Sequence, residues 1–296
     1  MKVRTVFLAV FFAALIMADA SALVAQNSQT VGPAADIQYM ELIKEDYFFL
    51  NGRTVTAVFD RWAEDALKEL TNVTYGCFID KLKYNNSLSA CLAMIKSGRA
   101  DIMMTTDVTS VYVAQRHSDM RAYICRQNFG AVMMLRASDV NLRDSFNSAL
   151  KKLKDNGRLD ELHKNLIKEL PAGSEPSFTK SVNHGGTDTV YVGVSGDMPP
   201  LDYVAADGNP AGYNVALLDE ISKETGKNIE IVTLDSQARF AALESKKIDV
   251  FFWVVMPLIE SAGEMKPQNS DEEAFYKKFI VTQPYCKVKN AFLVVK

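Results

Sequence analysis

The stretch from Thr189 to Gly226, TVYVGVSGDMPPLDYVAADGNPAGYNVALLDEISKETG, constrains this chain more than any other. Val190, Val192 and Val194 stand among small or β-branched neighbours, the pattern of a strand covered on both faces. Gly196 to Pro200 then stop the ladder, because proline has no N–H to donate. Asp207-Gly208 signals a turn, and Val215, Leu217, Leu218 and Ile221 recur at helical spacing up to Gly226. A strand, a turn at its carboxyl end, a hairpin-like loop and an amphipathic helix make a β-α unit.

The same logic recurs on both sides of it. Arg53 to Phe59 reads as a strand, Arg61 to Leu70 as a helix, Val73 to Ile79 as a strand, Ser87 to Ser97 as a helix and Ala100 to Thr105 as a strand. Asp107 is placed to cap a helix through Gln115. Asn128 to Arg136 is an extended apolar run, and Leu142, Phe146, Ala149, Leu150 and Leu153 mark a helix that stops at Asn156-Gly157. Leu159 to Ile167 gives one more helix. Beyond the central unit, Asn228 to Thr233, Asp249 to Val255 and Lys289 to Val295 read as strands, and Ser236 to Ser245 as a helix. Residues 23–44 are weakly patterned and read as a lead-in, and Leu258 to Lys278 as a polar surface excursion. An alternating succession of this kind predicts an α/β fold of mostly parallel sheets flanked by helices. Ala93 to Ile102, AMIKSGRADI, matches Ala241 to Val250, AALESKKIDV, as helix end, basic turn, Asp and buried strand, which predicts two lobes built alike.

Pro171 to Asp188, PAGSEPSFTKSVNHGGTD, breaks the periodicity and reads as a linker. Its His184-Gly185-Gly186 is similar to the oxyanion loops of lipases, but no GxSxG nucleophile elbow accompanies it, so the linker reading prevails. A net charge of -3 with interspersed signs argues against nucleic-acid and membrane-surface partners. The three histidines are scattered and the four cysteines lack CxxC or metal-type spacing, so neither a metal site nor a cofactor is expected. Cys77, Cys91, Cys125 and Cys286 allow three disulfide pairings, or remain free and buried.

Lys2 and Arg4 precede an apolar run from Val6 to Met17, followed by the small residues Ala18-Asp19-Ala20 and Ala20-Ser21-Ala22. The run is too short to cross about 30 Å of hydrocarbon, so residues 1–22 read as a cleaved signal peptide and the protein as periplasmic.

The central motifs PPLDY, DGNPAGYNV and TGK resemble the opening lobe of type II periplasmic substrate-binding proteins, the polar amino-acid class of bacterial extracellular solute-binding proteins, family 3. LNGRTVTAVFDRWAED resembles that family's second-lobe opening, SGRADIMMTTDVTSVYVAQ its next β-α unit, and FGAVMMLRASDVNLRDSFNSALKKLKDNGRLDELHKNLI its closing strand and helices. The family's parts are therefore present in exchanged order, as in a circular permutant. The resemblance implies a two-lobed type II fold: lobe two over 45–127, a hinge strand over 128–136, lobe-one helices over 137–170, the joining linker over 171–188, lobe one over 189–288 and a second hinge strand over 289–296.

It also implies capture of a small solute between the lobes by a monomer, with delivery to the permease of an ABC importer. A ligand-sensing module that presents its bound state to a membrane receptor is the alternative. The cyclohexadienyl dehydratases resemble the same fold, but no catalytic constellation supports an enzyme here. Laid on the family's pattern, the ligand-binding candidates are Arg61, Trp62, Thr106, Asp107, Asp197, Met198, Tyr203, Trp253, Val254 and Met256. The family's carboxylate-gripping Arg falls near Ser261, and its ammonium-holding Asp at Thr106 with Asp107 one residue later. Those departures point away from a zwitterionic amino acid and toward a flat or partly apolar anion. Each candidate has a structural alternative: Trp253 and Met256 as core filling, Arg61 as a partner of Asp65 one turn on, Asp107 as a cap, and Asp202 and Tyr203 as servants of their own loop.

Protein recovered from the producing cell is expected to begin near Ser21, Leu23 or Gln26, which an intact-mass measurement reads directly.

Overall fold

The computed structural model describes residues 36–40, 52–58, 81–171, 174–176, 184, 186, 188–235, 238–257 and 277–296. The expected helix over 61–70, the expected strand over 73–79, the signal segment, Cys77 and the polar excursion lie wholly or almost wholly outside these residues. The strands are β1 (Asp36–Met40), β2 (Thr54–Ala57), β3 (Lys81–Tyr84), β4 (Ile102–Thr106), β5 (Met120–Arg136), β6 (Thr189–Val194), β7 (Asp197–Met198), β8 (Asp202–Val204), β9 (Pro210–Ala211), β10 (Asn228–Thr233), β11 (Val250–Pro257), β12 (Phe279–Val281) and β13 (Cys286–Val295). The α-helices are α1 (Leu88–Lys96), α2 (Asp107–Ala114), α3 (Val140–Asp155), α4 (Arg158–His163, continued by a π-helical turn over Lys164–Lys168), α5 (Tyr213–Thr225) and α6 (Arg239–Glu244).

Parallel pairs build the two halves. In one half β6 pairs with β10 and β11, and in the other β2 pairs with β3 and β4. The long strands β5 and β13 run antiparallel to each other through both halves and fuse them into one ten-stranded sheet. The expected α/β architecture of two lobes is the one observed. The helices over 140–163 precede β6 in the chain, yet Phe146, Ala149, Leu150, Leu153, Leu159 and Leu162 share one core with Val190, Val192, Leu217 and Ile221. The other lobe has its own core around Leu88, Cys91, Ile95, Met103, Val113 and Leu293.

Several expectations are corrected. The lead-in holds a strand, β1, paired in parallel with β5. β5 begins at Met120, because Ala122 and Ile124 are buried while Arg121 and Tyr123 are only half-buried, a weaker apolar signal than that of Val132 to Leu135. The second hinge strand is not paired along its length with the first: Ala291, Leu293 and Val295 face Ile124, Ala122 and Met120, and Cys286 to Lys289 pair with Ala131 to Asn128. The reason is β4, which holds Ala291 and Leu293 opposite Thr105 and Met103 in the core of the second lobe. Helix α2 is capped by Thr106, one residue before Asp107. Cys91, Cys125 and Cys286 are buried, and no disulfide joins the described cysteines to one another.

The internal repeat holds down to single hydrogen bonds. In the first copy the N–H groups of Ser97, Gly98, Arg99 and Ala100 donate to Ala93, Ile95, Met94 and Met94. In the second, Ser245, Lys246, Lys247 and Ile248 donate to Ala241, Leu243, Ala242 and Ala242. Asp101 then donates its N–H to Thr54 at 2.8 Å and accepts the Thr54 N–H on its carboxylate at 2.7 Å. Asp249 does the same with Tyr191, at 2.7 and 3.0 Å. Each Asp thus joins the start of its buried strand to the neighbouring parallel strand, which explains its place in both copies.

The turn needs a left-handed residue, supplied by Gly98 at φ 69° in one copy and by Lys246 at φ 62° in the other. A side chain at such a φ is strained, so Lys246→Gly should stabilise the protein by about 0.5–1 kcal/mol after the entropy lost to the glycine. Gly98→Ala, whose Cβ meets nothing within 4 Å, should destabilise by about 1 kcal/mol through backbone strain alone. Urea denaturation of the two variants reads both signs.

Candidate functional site

Ligands of open α/β sheets are received beyond the carboxyl ends of the parallel strands, which here are the ends of β6 and β11 in one lobe and of β2 and β4 in the other. After Val194 the chain turns through Ser195 and Gly196, the latter at φ 69° with Thr233 where a Cβ would stand. The carboxylate of Asp202, 1% exposed, holds this turn. It accepts the Ser195 hydroxyl at 2.5 Å, the Gly196 N–H at 2.9 Å and the Asn214 side-chain amide at 2.7 Å. One acid therefore joins the end of β6, the strand β8 and the start of α5. Three donors meet the need of a buried charge that has no cation among these partners.

That anchoring supports the small antiparallel sheet of β7, β8 and β9, and aims Asp197 across at the other lobe. Asp197 accepts the Ser89 N–H at 3.3 Å and the Ser89 hydroxyl at 3.2 Å. Ser89 lies in the first turn of α1, whose cap is Ser87, accepting the Ala90 N–H at 3.1 Å. A carboxylate there meets unpaired amides and the positive end of the helix. This contact bridges the two lobes.

At the crossing, β13 bulges between Lys289 and Ala291 and its ladder with β5 is interrupted. Asp107 fills the interruption: its Oδ1 accepts the Lys289 N–H at 2.9 Å and the Val108 N–H at 3.0 Å. The residue keeps some exposed surface, but its carboxyl is packed among protein atoms, and burial pushes its pKa above the ordinary carboxylate value. The Lys289 and Val108 donors offset that rise only in part. The thiol of Cys286, on the same strand, is pushed up to about 12 by burial and then by Asp107.

Among the ten candidates, the structure gathers Asp197, Met198 and Tyr203 on the small sheet, with Met198 half-buried and Tyr203 8% exposed. Thr106 and Asp107 sit at the start of α2 beside the crossing strands. Val254 is half-buried on β11, directly after a bulge that leaves Trp253 as the extra backbone residue, and Met256 follows on the same strand. Arg61 and Trp62 lie outside the described residues. Asp202 serves its own loop, whereas the Tyr203 hydroxyl donates to the carbonyl of Pro176 at 3.1 Å. Sequence reasoning missed Ser89 and Lys289. The helix over Ser87 to Ser97 was legible, but the contact of Ser89 with a residue 108 positions away was not. Among the described residues no group of three or more metal-ligating side chains converges, and no helix is long and apolar enough to cross a membrane.

Residues 190–255 match the profile of bacterial extracellular solute-binding proteins, family 3. Over that segment the chain is similar to family 3 solute-binding proteins. The arginine-binding extracellular protein ArtP of Bacillus subtilis (strain 168) is 30% identical over 98 residues, which span 33% of this chain and 36% of that relative. Among solved structures, the chain is similar to the glutamate-bound GluR0 ligand-binding core of Nostoc punctiforme, with a TM-score of 0.36, 11% identity and coverage of 82% and 85%. It is also similar to the zinc-bound ligand-binding component of an ABC-type import system from Staphylococcus aureus, with a TM-score of 0.39, 14% identity and coverage of 87% and 66%. The family segment runs from β6 through the Asp202-anchored turn and α5 to β11.

The raised pKa of Asp107 gives a signed expectation. Its stabilising effect is full below the ordinary carboxylate pKa and is lost as pH rises through the raised value, because the native state then holds a desolvated charge. Asp107→Asn keeps an acceptor for both N–H groups without the charge, so its stability relative to the parent should increase with pH across the acidic range. Asp107→Ala leaves both donors unanswered and should cost about 1–3 kcal/mol at low pH, a cost that shrinks as the parent loses stability with rising pH. Thermal denaturation of the three proteins from pH 3 to 8 separates these effects.

Proposed function

We propose that this protein is a periplasmic solute-binding protein that captures a small anionic solute with aromatic or partly apolar character between its lobes and hands it to the permease of an ABC importer. The observation that carries the reading is the family 3 segment lying in one lobe while its Asp197 reaches the other lobe at Ser89. A cleft whose walls approach each other at the strand ends is the arrangement that hinge closure around a solute requires. Arg61 is the cation assigned to the solute's carboxylate or phosphate, with Trp62, Met198, Trp253, Val254 and Met256 as its apolar walls and Thr106 and Tyr203 as hydroxyl donors.

The order of the parts supports a circular permutant. Helices α3 and α4 precede β6 yet pack in the core with it, and the chain passes from them to β6 through the 171–188 segment. β13 leaves the β6 lobe, crosses beside β5 and ends against β4. Joining ends that lie close on one lobe disturbs neither core.

A second reading is favoured by one relative. ArtP is named for binding arginine, and a cationic amino acid would need a free carboxylate in the cleft. Asp197 is engaged by Ser89 here and Asp107 by Lys289 and Val108, so the anionic solute is preferred.

Native mass spectrometry of the purified protein identifies a co-purified solute, and calorimetry against arginine, glutamate and glutamine is the decisive companion. Binding of an aromatic or partly apolar acid with no submicromolar affinity for the three amino acids is the expected result. Submicromolar arginine binding would replace the anionic reading with the cationic one.

A further inference from the structure

The chain between α4 and β6 does more than join two elements. It leaves the π-helical turn at Leu170, whose side chain packs against the core of the second lobe. Four residues later, Arg116 at the end of α2 donates through Nη2 to the carbonyl of Ser174. The same guanidinium lies over the Tyr112 ring, 3.4 Å from its centroid, and donates through Nη1 to the Tyr112 carbonyl at 3.1 Å. It is therefore fixed on α2 by a stacked cation–π contact and a main-chain bond. Two residues beyond Ser174, the Pro176 carbonyl accepts the Tyr203 hydroxyl at 3.1 Å, and Pro176 itself is buried. Tyr203 belongs to β8, on the lobe of β6. Farther on, His184 meets Asp219 of α5 at 2.9 Å and the Gly186 N–H donates to Asn228 at 3.0 Å, both on that same lobe.

One tripeptide is thus gripped from both lobes. Two residues of extended chain span at most about 7 Å, so the segment cannot lengthen to follow a rotation of α2 away from β8. The grips are firm. Tyr112 and Arg116 are locked to each other, and burial, followed by the charge of Glu175 between the two gripped carbonyls, pushes the Tyr203 hydroxyl up to about 12, so it remains a donor through the whole physiological range. The crossing strands β5 and β13 permit bending at the Lys289 bulge, whereas this third connection is tied by side chains that can let go.

We propose that residues 174–176 are a strap that pins the two lobes at one angle, so that opening the cleft requires Arg116 or Tyr203 to release a main-chain carbonyl. The strap sets how much of the population is open to receive a solute, since an equilibrium between open and closed forms is shifted by any contact made in only one of them. This purpose rests on the solute-binding reading; the strap itself does not.

The test needs no solute, so it fails or succeeds independently of that reading. Spin labels placed through Lys81→Cys on β3 and Glu230→Cys on β10, both exposed and on opposite outer strands of the sheet, report the inter-lobe distance by double electron–electron resonance, with Cys77→Ser in the background to remove a competing thiol. Tyr203→Phe deletes one oxygen and leaves the ring in its packing; Arg116→Gln removes the other grip. The expected result is a narrow distribution in the parent and one broadened at least about twofold, toward longer distance, in each variant. Ser89→Ala, which weakens the Asp197 bridge, is measured beside them. Distributions for Tyr203→Phe that superimpose on the parent overturn the strap, and broadening confined to Ser89→Ala assigns the lobe angle to Asp197 instead. Should Arg116→Gln unfold, Tyr203→Phe alone decides.

Discussion

The antiparallel pair of β5 and β13 is the interaction on which the rest depends. Each strand lies in both lobes, so among the described residues the hydrogen bonds between them are the one ladder shared by the two parallel sets around β6 and β2. A ladder of that length is stiff except where it is interrupted. The interruption is the bulge after Lys289, and Asp107 supplies the acceptor that the missing ladder partner would have supplied. A bulge bends and twists its strand, and here it does so where two lobes must turn against each other. A buried carboxylate makes this joint soluble in hydrogen-bond terms without restoring the rigid ladder.

Around that joint the two lobes repeat one device. An Asp at the end of a basic turn answers both backbone groups of the neighbouring parallel strand, through Thr54 in one lobe and Tyr191 in the other. Since strands of a parallel sheet are connected through helices and meet with their ends unpaired, such an Asp secures the register at the end opposite the cleft. The cleft ends of the strands are then free to carry turns chosen for other purposes. Asp202 shows one: its three donors fix the path from β6 to α5, and this lets Asp197 project to Ser89. Among the described residues, aspartates thus perform four separate tasks, and only their partners distinguish them.

Much of this was legible beforehand because the signals are local. Valines at period two, helical spacing up to Gly226, the helix over Ser87 to Ser97 and the Asn156-Gly157 stop depend on neighbours a few residues away. The repeat was legible for the same reason, since it is a property of ten consecutive residues, and its hydrogen bonds are the same in both copies. Strand β1 and the first half of β5 were missed because their polar and apolar residues mix, and only pairing to a neighbour makes strands of them.

By itself the sequence determined the alternation of strands and helices, the two-lobed α/β class and the family resemblance of the 190–255 segment, all of which rest on periodicity and short motifs. The tertiary structure decided the register of β13, the partners of Asp107 and Asp197, and the grip of Arg116 and Tyr203 on the tripeptide 174–176. Each of those joins residues far apart in the chain, and the physical reason they were hidden is common to all. A carboxylate, a hydroxyl or a guanidinium is promiscuous in its hydrogen bonding, so its partner is chosen by what the fold brings within 3 Å and by nothing written beside it.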